Sequence, residues 1–180
     1  MTREVPLTCG RVALIDEADW PLVEGSTWRS IRAGSKGRTL YAVTKRAGRQ
    51  ITMHQLIMPV QPPLEVDHRN RDGLDNRRAN LRPATHQQNT CNRSYTRAAP
   101  GYRGARFKRG RWQAIVVRDA RQLHLGSFGS EVEAAVAYDL AAVALHGDFA
   151  SPNFDPSRDW VFPFLTDDFR AAVMRRAGVV

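Results

Sequence analysis

Between Asp67 and Asn89 the chain reads DHRNRDGLDNRRANLRPATHQQN, and four of its side chains, Asp67, His68, Asn80 and Asn89, could do chemistry together. A carboxylate and an amide oxygen are the hard donors that a divalent cation such as Mg²⁺ takes. An imidazole beside them can accept a proton from an attacking water near neutral pH. Set among arginines, the combination points to metal-assisted cleavage of a phosphodiester. Any one of the four alone would read as a polar residue in a basic loop; the set and its order carry the chemistry.

Charge supports a polyanionic partner. The 180 residues hold 27 Lys/Arg against 18 Asp/Glu, a formal net charge of +9. The excess is local. Residues 69–121 carry 14 basic against 3 acidic side chains, residues 1–68 carry 9 against 7, and residues 122–180 carry 4 against 8. A block this dense suits phosphate neutralisation better than general solubility. Cys9 and Cys91 lie far apart without metal-finger or CxxC spacing, so neither a disulfide framework nor a structural zinc site is expected. The start, MTREVPLTCG, carries charges and a proline where a signal peptide needs an apolar core. With no apolar run of about 18 residues, the expectation is a soluble, cytoplasmic protein.

The elements that must position these residues follow from periodicity and turn residues. Residues 1–53 read as a small β-rich region, with strands at Val12–Ile15 and Thr39–Thr44 and with Trp20, Leu22, Val23 and Trp28 as core. Met53–Met58 has apolar side chains at helical spacing and stops at Pro59. His54 on that helix is either a buried histidine supporting the site or a metal ligand. Leu64-Glu65-Val66 reads as a strand running into Asp67-His68, a polar loop follows, and Leu81-Arg82 returns. Thr85 and Gln88 form a capping-box pattern that opens a helix containing Asn89 and Asn92. Hairpin, loop and helix would let Asp67, His68 and Asn89 converge.

Residues 94–100 read as a linker. Beyond it, strands are expected at Tyr102–Lys108, Arg111–Arg118 and Gln122–Phe128, with Trp112, Ala114 and Val116 on one face. Ser130 and Glu133 form a second capping box for a helix to about His146, with Ala134, Ala137, Ala141 and Ala144 as a small-residue stripe facing the sheet. Residues 155–180 hold Trp160, Phe162, Phe164, Leu165 and Phe169, too many apolar side chains for a free tail, and Thr166–Arg176 has the charge order of a helix. The fold class expected is α+β: a β-rich N-terminal region (1–53), a ββα-metal motif (54–93), a linker, a three-stranded antiparallel sheet on one helix (101–154), and a C-terminal extension (155–180).

Asp67-His68 with Asn80 and Asn89 resembles the HNH nuclease motif, in the variant whose last histidine is an asparagine, over roughly residues 50–93. The resemblance implies that Asp67 and Asn89 hold a divalent metal, that His68 is the general base, and that Asn80 orients His68 or braces the loop. His54, Asn76 and Asn92 are candidate supports. An oxygen donor set implies Mg²⁺, with Mn²⁺ as the other candidate. Residues 101–154 resemble the ethylene-response-factor type of DNA-binding domain through YRG at Tyr102–Gly104, Arg106, Trp112, LGSF at Leu125–Phe128, AAVAYDLAA at Ala134–Ala142, and Asn153-Phe154. That family lays its sheet in the major groove. The implied contacts are Arg103, Arg106 and Lys108, with Arg111 and Arg118 nearby. Ile115 and Val117 stand at positions where the family has polar contacts, and His124 replaces a tryptophan, so a different target is implied, with thymine methyls within reach of the apolar pair.

The function expected is a site-recognising DNA endonuclease of homing or phage type, nicking double-stranded DNA with one metal ion. The alternative is a sequence-specific DNA-binding protein whose nuclease module has decayed. An RNA-binding role has only the charge in its favour.

Overall fold

In the first of two units, Met1–Thr90, β1 (Thr2–Pro6) pairs antiparallel with β2 (Val12–Asp16). A single helical turn, α1 (Trp20–Val23), follows. Next comes an antiparallel sheet in the order β3 (Arg29–Ala33), β4 (Thr39–Arg46), β5 (Arg49–Thr52). Then α2 (Met53–Ile57) starts in a Thr52/Gln55 capping box. β6 (Glu65–His68) pairs antiparallel with β7 (Leu81–Ala84), and α3 (His86–Asn92) succeeds them. The core gathers Val5, Ile15, Val23, Trp28, Ala42, Met53, Ile57 and Leu81 from β1, β2, α1, β4, α2, β7 and the segment between α1 and β3. Residues 1–33, 39–92, 101–154, 162 and 164–179 are described in this computed structural model. The expected linker at 94–100 and Trp160 lie outside them.

Some expectations shift. Trp28 and Val23 are buried and Trp20 packs at the core's margin, but Leu22 is 40% exposed, because a one-turn helix can turn only one side inward. β1, β3 and β5 were not read from sequence; polar residues along them hide the alternation.

The second unit, Cys91–Val180, is a sheet in the order β8 (Ala105–Lys108), β9 (Arg111–Arg118), β10 (Arg121–Phe128). Arg109-Gly110 and Asp119-Ala120 all carry positive φ, the handedness a two-residue hairpin turn requires. α4 (Glu131–His146), opened by the Ser130/Glu133 capping box, packs on all three strands, and α5 (Asp167–Ala177) packs on α4 and β10. α4 is therefore buried from Ala134 through Ala142 without a break, while Ala144, expected in the stripe, is exposed. Rings run from Tyr102 through Phe154, Phe162, Phe164 and Phe169 to Phe128 at centroid spacings of 5.0 to 5.6 Å. They seat the C-terminal segment.

The first strand begins at Ala105, later than expected. The Tyr102 and Arg103 backbone amides are taken by the side chains of Glu131 (2.8 Å) and Asn153 (2.7 Å). Asn153 in turn donates to Asp139, which accepts from Phe154 as well and is fully buried. Burial pushes the Asp139 carboxyl up to about 6 against those hydrogen bonds. Gly104 has φ +76, and a Cβ there would collide with the Tyr138 ring. Gly104→Ala should therefore destabilise the second unit by about 2–4 kcal/mol, combining positive-φ strain with overpacking. Denaturant unfolding of the full chain checks this, and an unchanged midpoint would contradict it.

Candidate functional site

Because side chains alternate along a strand, Asp67 and His68 at the end of β6 project to opposite sides. The register sets Asp67 across from Arg82 and His68 across from Leu81. Each chemical group thus receives its own surroundings.

On the His68 side lies the core of the first unit. His68 is 4% exposed. Its ring stands 5.0 Å from that of His54 on α2 and 5.7 Å from that of Tyr41 on β4. Burial pulls the His68 imidazole below its ordinary value, with Asn76 and the carboxylates of Asp67, Asp72 and Asp75 pulling the other way. His54 is driven down to about 3, first by burial and then by His68. His54 Nε2 meets Thr52 Oγ1 at 2.9 Å, whereas its Nδ1 is buried with no hydrogen-bond partner among the described residues. Asn76, fully buried, donates from Nδ2 to Leu74 O (3.1 Å) and so turns its Oδ1 toward His68 Nε2, 3.4 Å away.

The loop between the two strands is tied down from within and from outside. Asn80 donates to Asp75 O (2.7 Å) and accepts from Asn70 N (2.9 Å), so it braces the loop backbone. The Asp75 carboxylate accepts from Arg77 Nη2 (2.7 Å) and Asn70 Nδ2 (2.8 Å), and Arg77 holds it below the usual carboxylate range. Outside, Leu14 of β2 exchanges backbone hydrogen bonds with Leu74 and Asn76. Arg78 also pairs with buried Asp19 at 2.7 Å. Gly73 sits so close to β4 that a Cβ would strike Tyr41. The loop cannot shift without moving the wall behind His68.

On the other side of β6, Arg82 donates from Nε to Asp67 Oδ2 at 2.8 Å, both side chains being about 5% exposed. Glu65, two residues back on the same face, meets His86 Nδ1 at 2.9 Å and accepts from Asn89 Nδ2 at 2.6 Å. α3 is opened by Thr85 and Gln88 as expected. Asn89 therefore lies against Glu65, a residue the sequence reasoning passed over, as it did Arg82. Strand alternation would have flagged Glu65, and hairpin register Arg82. Apart from the His86 imidazole, the donors on this face are the oxygens of two carboxylates and an amide, which fit a hard cation. Among the described residues no group of three or more His, Cys, Asp or Glu gathers as a metal cage. Asn92 is buried.

In the second unit, register divides the basic residues. Arg106, Lys108, Arg111, Ile115, Val117 and His124 fall on the sheet face away from α4, together with Gln113 and Gln122. Arg118 shares the parity of Ala114 and Val116, which are buried under α4. Arg103 lies before the sheet, its guanidinium 5.8 Å from the Tyr138 ring of α4.

Comparison with known proteins agrees with both halves. Residues 59–91 match the family model described as HNH endonuclease. Over 150 residues, 80% of this chain and 75% of its relative, the chain is 29% identical to an uncharacterised HNH endonuclease of Acanthamoeba polyphaga mimivirus. Over 68 residues, 36% of the chain, it is 46% identical to the AP2-like ethylene-responsive transcription factor ANT of Arabidopsis thaliana. Over 68 residues it is also 43% identical to an AP2-like factor of Oryza sativa subsp. japonica. It spans only 12% and 11% of those plant proteins. The chain thus joins an HNH-endonuclease-like segment to an AP2-like segment.

The Asp67–Arg82 pair makes a quantitative demand. Arg82→Leu removes the guanidinium that faces a buried carboxylate and should cost about 3–5 kcal/mol of stability, and Asp67→Leu/Arg82→Leu should recover most of that loss. Urea unfolding of the two variants checks it; a double variant no more stable than the single one would show that the pair is not what matters there.

Proposed function

We propose that the chain is a DNA endonuclease in which the β6–β7 hairpin and α3 form the cutting site and the outer face of the β8–β10 sheet reads duplex DNA. The observation that carries this is the placement of Asp67 and His68 on opposite sides of one strand end, each in a built environment, with Asn89 brought to the Asp67 side. His68, kept neutral near pH 7 by burial, takes the proton of the water that attacks the phosphodiester. Asn76 and Asn80 hold its ring and loop in place. Asp67 and Asn89 would hold a divalent cation, with Glu65 on the same face. Such an ion supplies charge stabilisation at the scissile phosphate, and Mg²⁺ suits a site with few protein oxygens because it retains waters and takes substrate oxygens. Arg82 beside Asp67 must be displaced or shared for that to happen.

An antiparallel ribbon fits the major groove, and the outer face offers Arg106, Lys108 and Arg111 for phosphates and guanine edges and Ile115 and Val117 for thymine methyls. Carrying the reading sheet and the cutting site in one chain would raise the local concentration of the cutting site on bound DNA. One hairpin site per chain favours nicking, and the pattern of a cutter joined to a reader suits an element of homing or phage type. The Arg82–Asp67 ion pair favours one other reading, DNA binding without cleavage.

His68→Ala should lower cleavage of a labelled duplex by ~10²-fold or more while DNA affinity is retained; equal cleavage by parent and variant would remove His68 from the mechanism. Arg106→Ala should cost about 1–3 kcal/mol of affinity for the cognate site and relax selectivity at one base pair. Unchanged gel shifts would move the reading surface elsewhere.

A further inference from the structure

The C-terminal helix brings charge to a place the sheet alone does not reach. In the second unit, a groove of about 490 Å³ lies at the β9–β10 turn, lined by Arg118, Arg121, Arg175 and Arg176 over Leu123 and Gly178. All four arginines are exposed, and the acidic side chain on the groove is Asp119, 3.6 Å from Arg118. The arginines divide into two kinds. Arg176 donates to Leu125 O (2.9 Å) and Arg118 to Gly178 O (3.3 Å), which fastens α5 to the sheet. The side chains of Arg121 and Arg175 have no hydrogen-bond or ion-pair partner among the described residues. Favourable placement at the negative end of α5 accounts for Arg175, but not for Arg121, which enters from β10. The groove lies at the end of the sheet: the pair Arg118–Arg121 follows Val117–Gln122 in register and, because strand side chains alternate, turns to the α5 side just past the last pair of the outer face.

We propose that this groove is a phosphate clamp for duplex DNA, with Arg121 and Arg175 gripping the backbone beside the sheet and Arg118 and Arg176 holding α5 in position to do so. Guanidinium forks match phosphate oxygens in geometry as well as charge. The segment after the sheet domain is then part of the DNA-binding surface rather than a packing accessory. The proposal rests on the reading that the second unit binds DNA.

The test uses the full chain with chelator present, so that DNA is bound and not cut, and measures affinity by fluorescence anisotropy for two short labelled duplexes of unrelated sequence across a range of salt. Arg121→Gln/Arg175→Gln should reduce the slope of log affinity against log salt by about 0.9 for each lost contact and weaken both duplexes equally. Arg121→Lys/Arg175→Lys should restore most of the slope, and thermal unfolding should be unchanged in both variants. If the parent binds and the Gln variant keeps the same slope, the clamp is refuted while the DNA reading stands. A loss confined to one duplex would make these arginines base readers and overturn the phosphate assignment. A parent that binds neither duplex would overturn the DNA reading and the clamp with it.

Discussion

The two-residue period of a β-strand is the constraint on which the site depends. Asp67 and His68 are adjacent at the end of β6, so they cannot share a side. A carboxylate and an imidazole that would otherwise pair with each other are separated, and the chain must build a setting for each. The first setting is polar, with Arg82 across the hairpin and Glu65 and Asn89 on the same face. The second is the interior of the first unit, with Tyr41 and His54 against the ring. The N-terminal strands thus serve the hairpin. They form the wall that buries His68, and β2 holds the loop through Leu14 while Asp19 holds it through Arg78.

A parallel economy governs the second unit. A three-stranded sheet cannot bury both faces with one helix, and here α4 and α5 together take one side. Small residues on α4 let strands and α5 approach it closely, which is why burial runs unbroken from Ala134 to Ala142. The other face is left to solvent with Arg106, Lys108 and Arg111 upon it. The ring series from Tyr102 to Phe128 and the Arg176–Leu125 hydrogen bond extend the domain well past its sheet.

Local chemistry was legible in the sequence wherever it depended on neighbouring residues. The capping boxes at Thr85 and Ser130, the strand entering Asp67-His68, and the three strands after residue 101 all follow from turn residues and periodicity. Properties set by tertiary pairing were not. That Arg82 would face Asp67 depends on hairpin register, which the loop length alone leaves open. Asn89 meets Glu65 because of how α3 lies across the hairpin, a fact of packing. Leu22 and Ala144 are exposed because the neighbours that would cover them are elsewhere. Tyr102 and Arg103 fall outside the sheet because side chains of Glu131 and Asn153, about 30 and 50 positions on, claim their amides.

The central claim is that a buried histidine and a carboxylate, placed back to back on one strand, make this chain a metal-dependent DNA-cutting protein. Incubating the purified full chain with supercoiled plasmid and Mg²⁺, with and without chelator, tests it most directly. The account predicts conversion to open circles in Mg²⁺ and intact supercoils with chelator. Plasmid left supercoiled in both Mg²⁺ and Mn²⁺, or cut equally well in chelator, would contradict it.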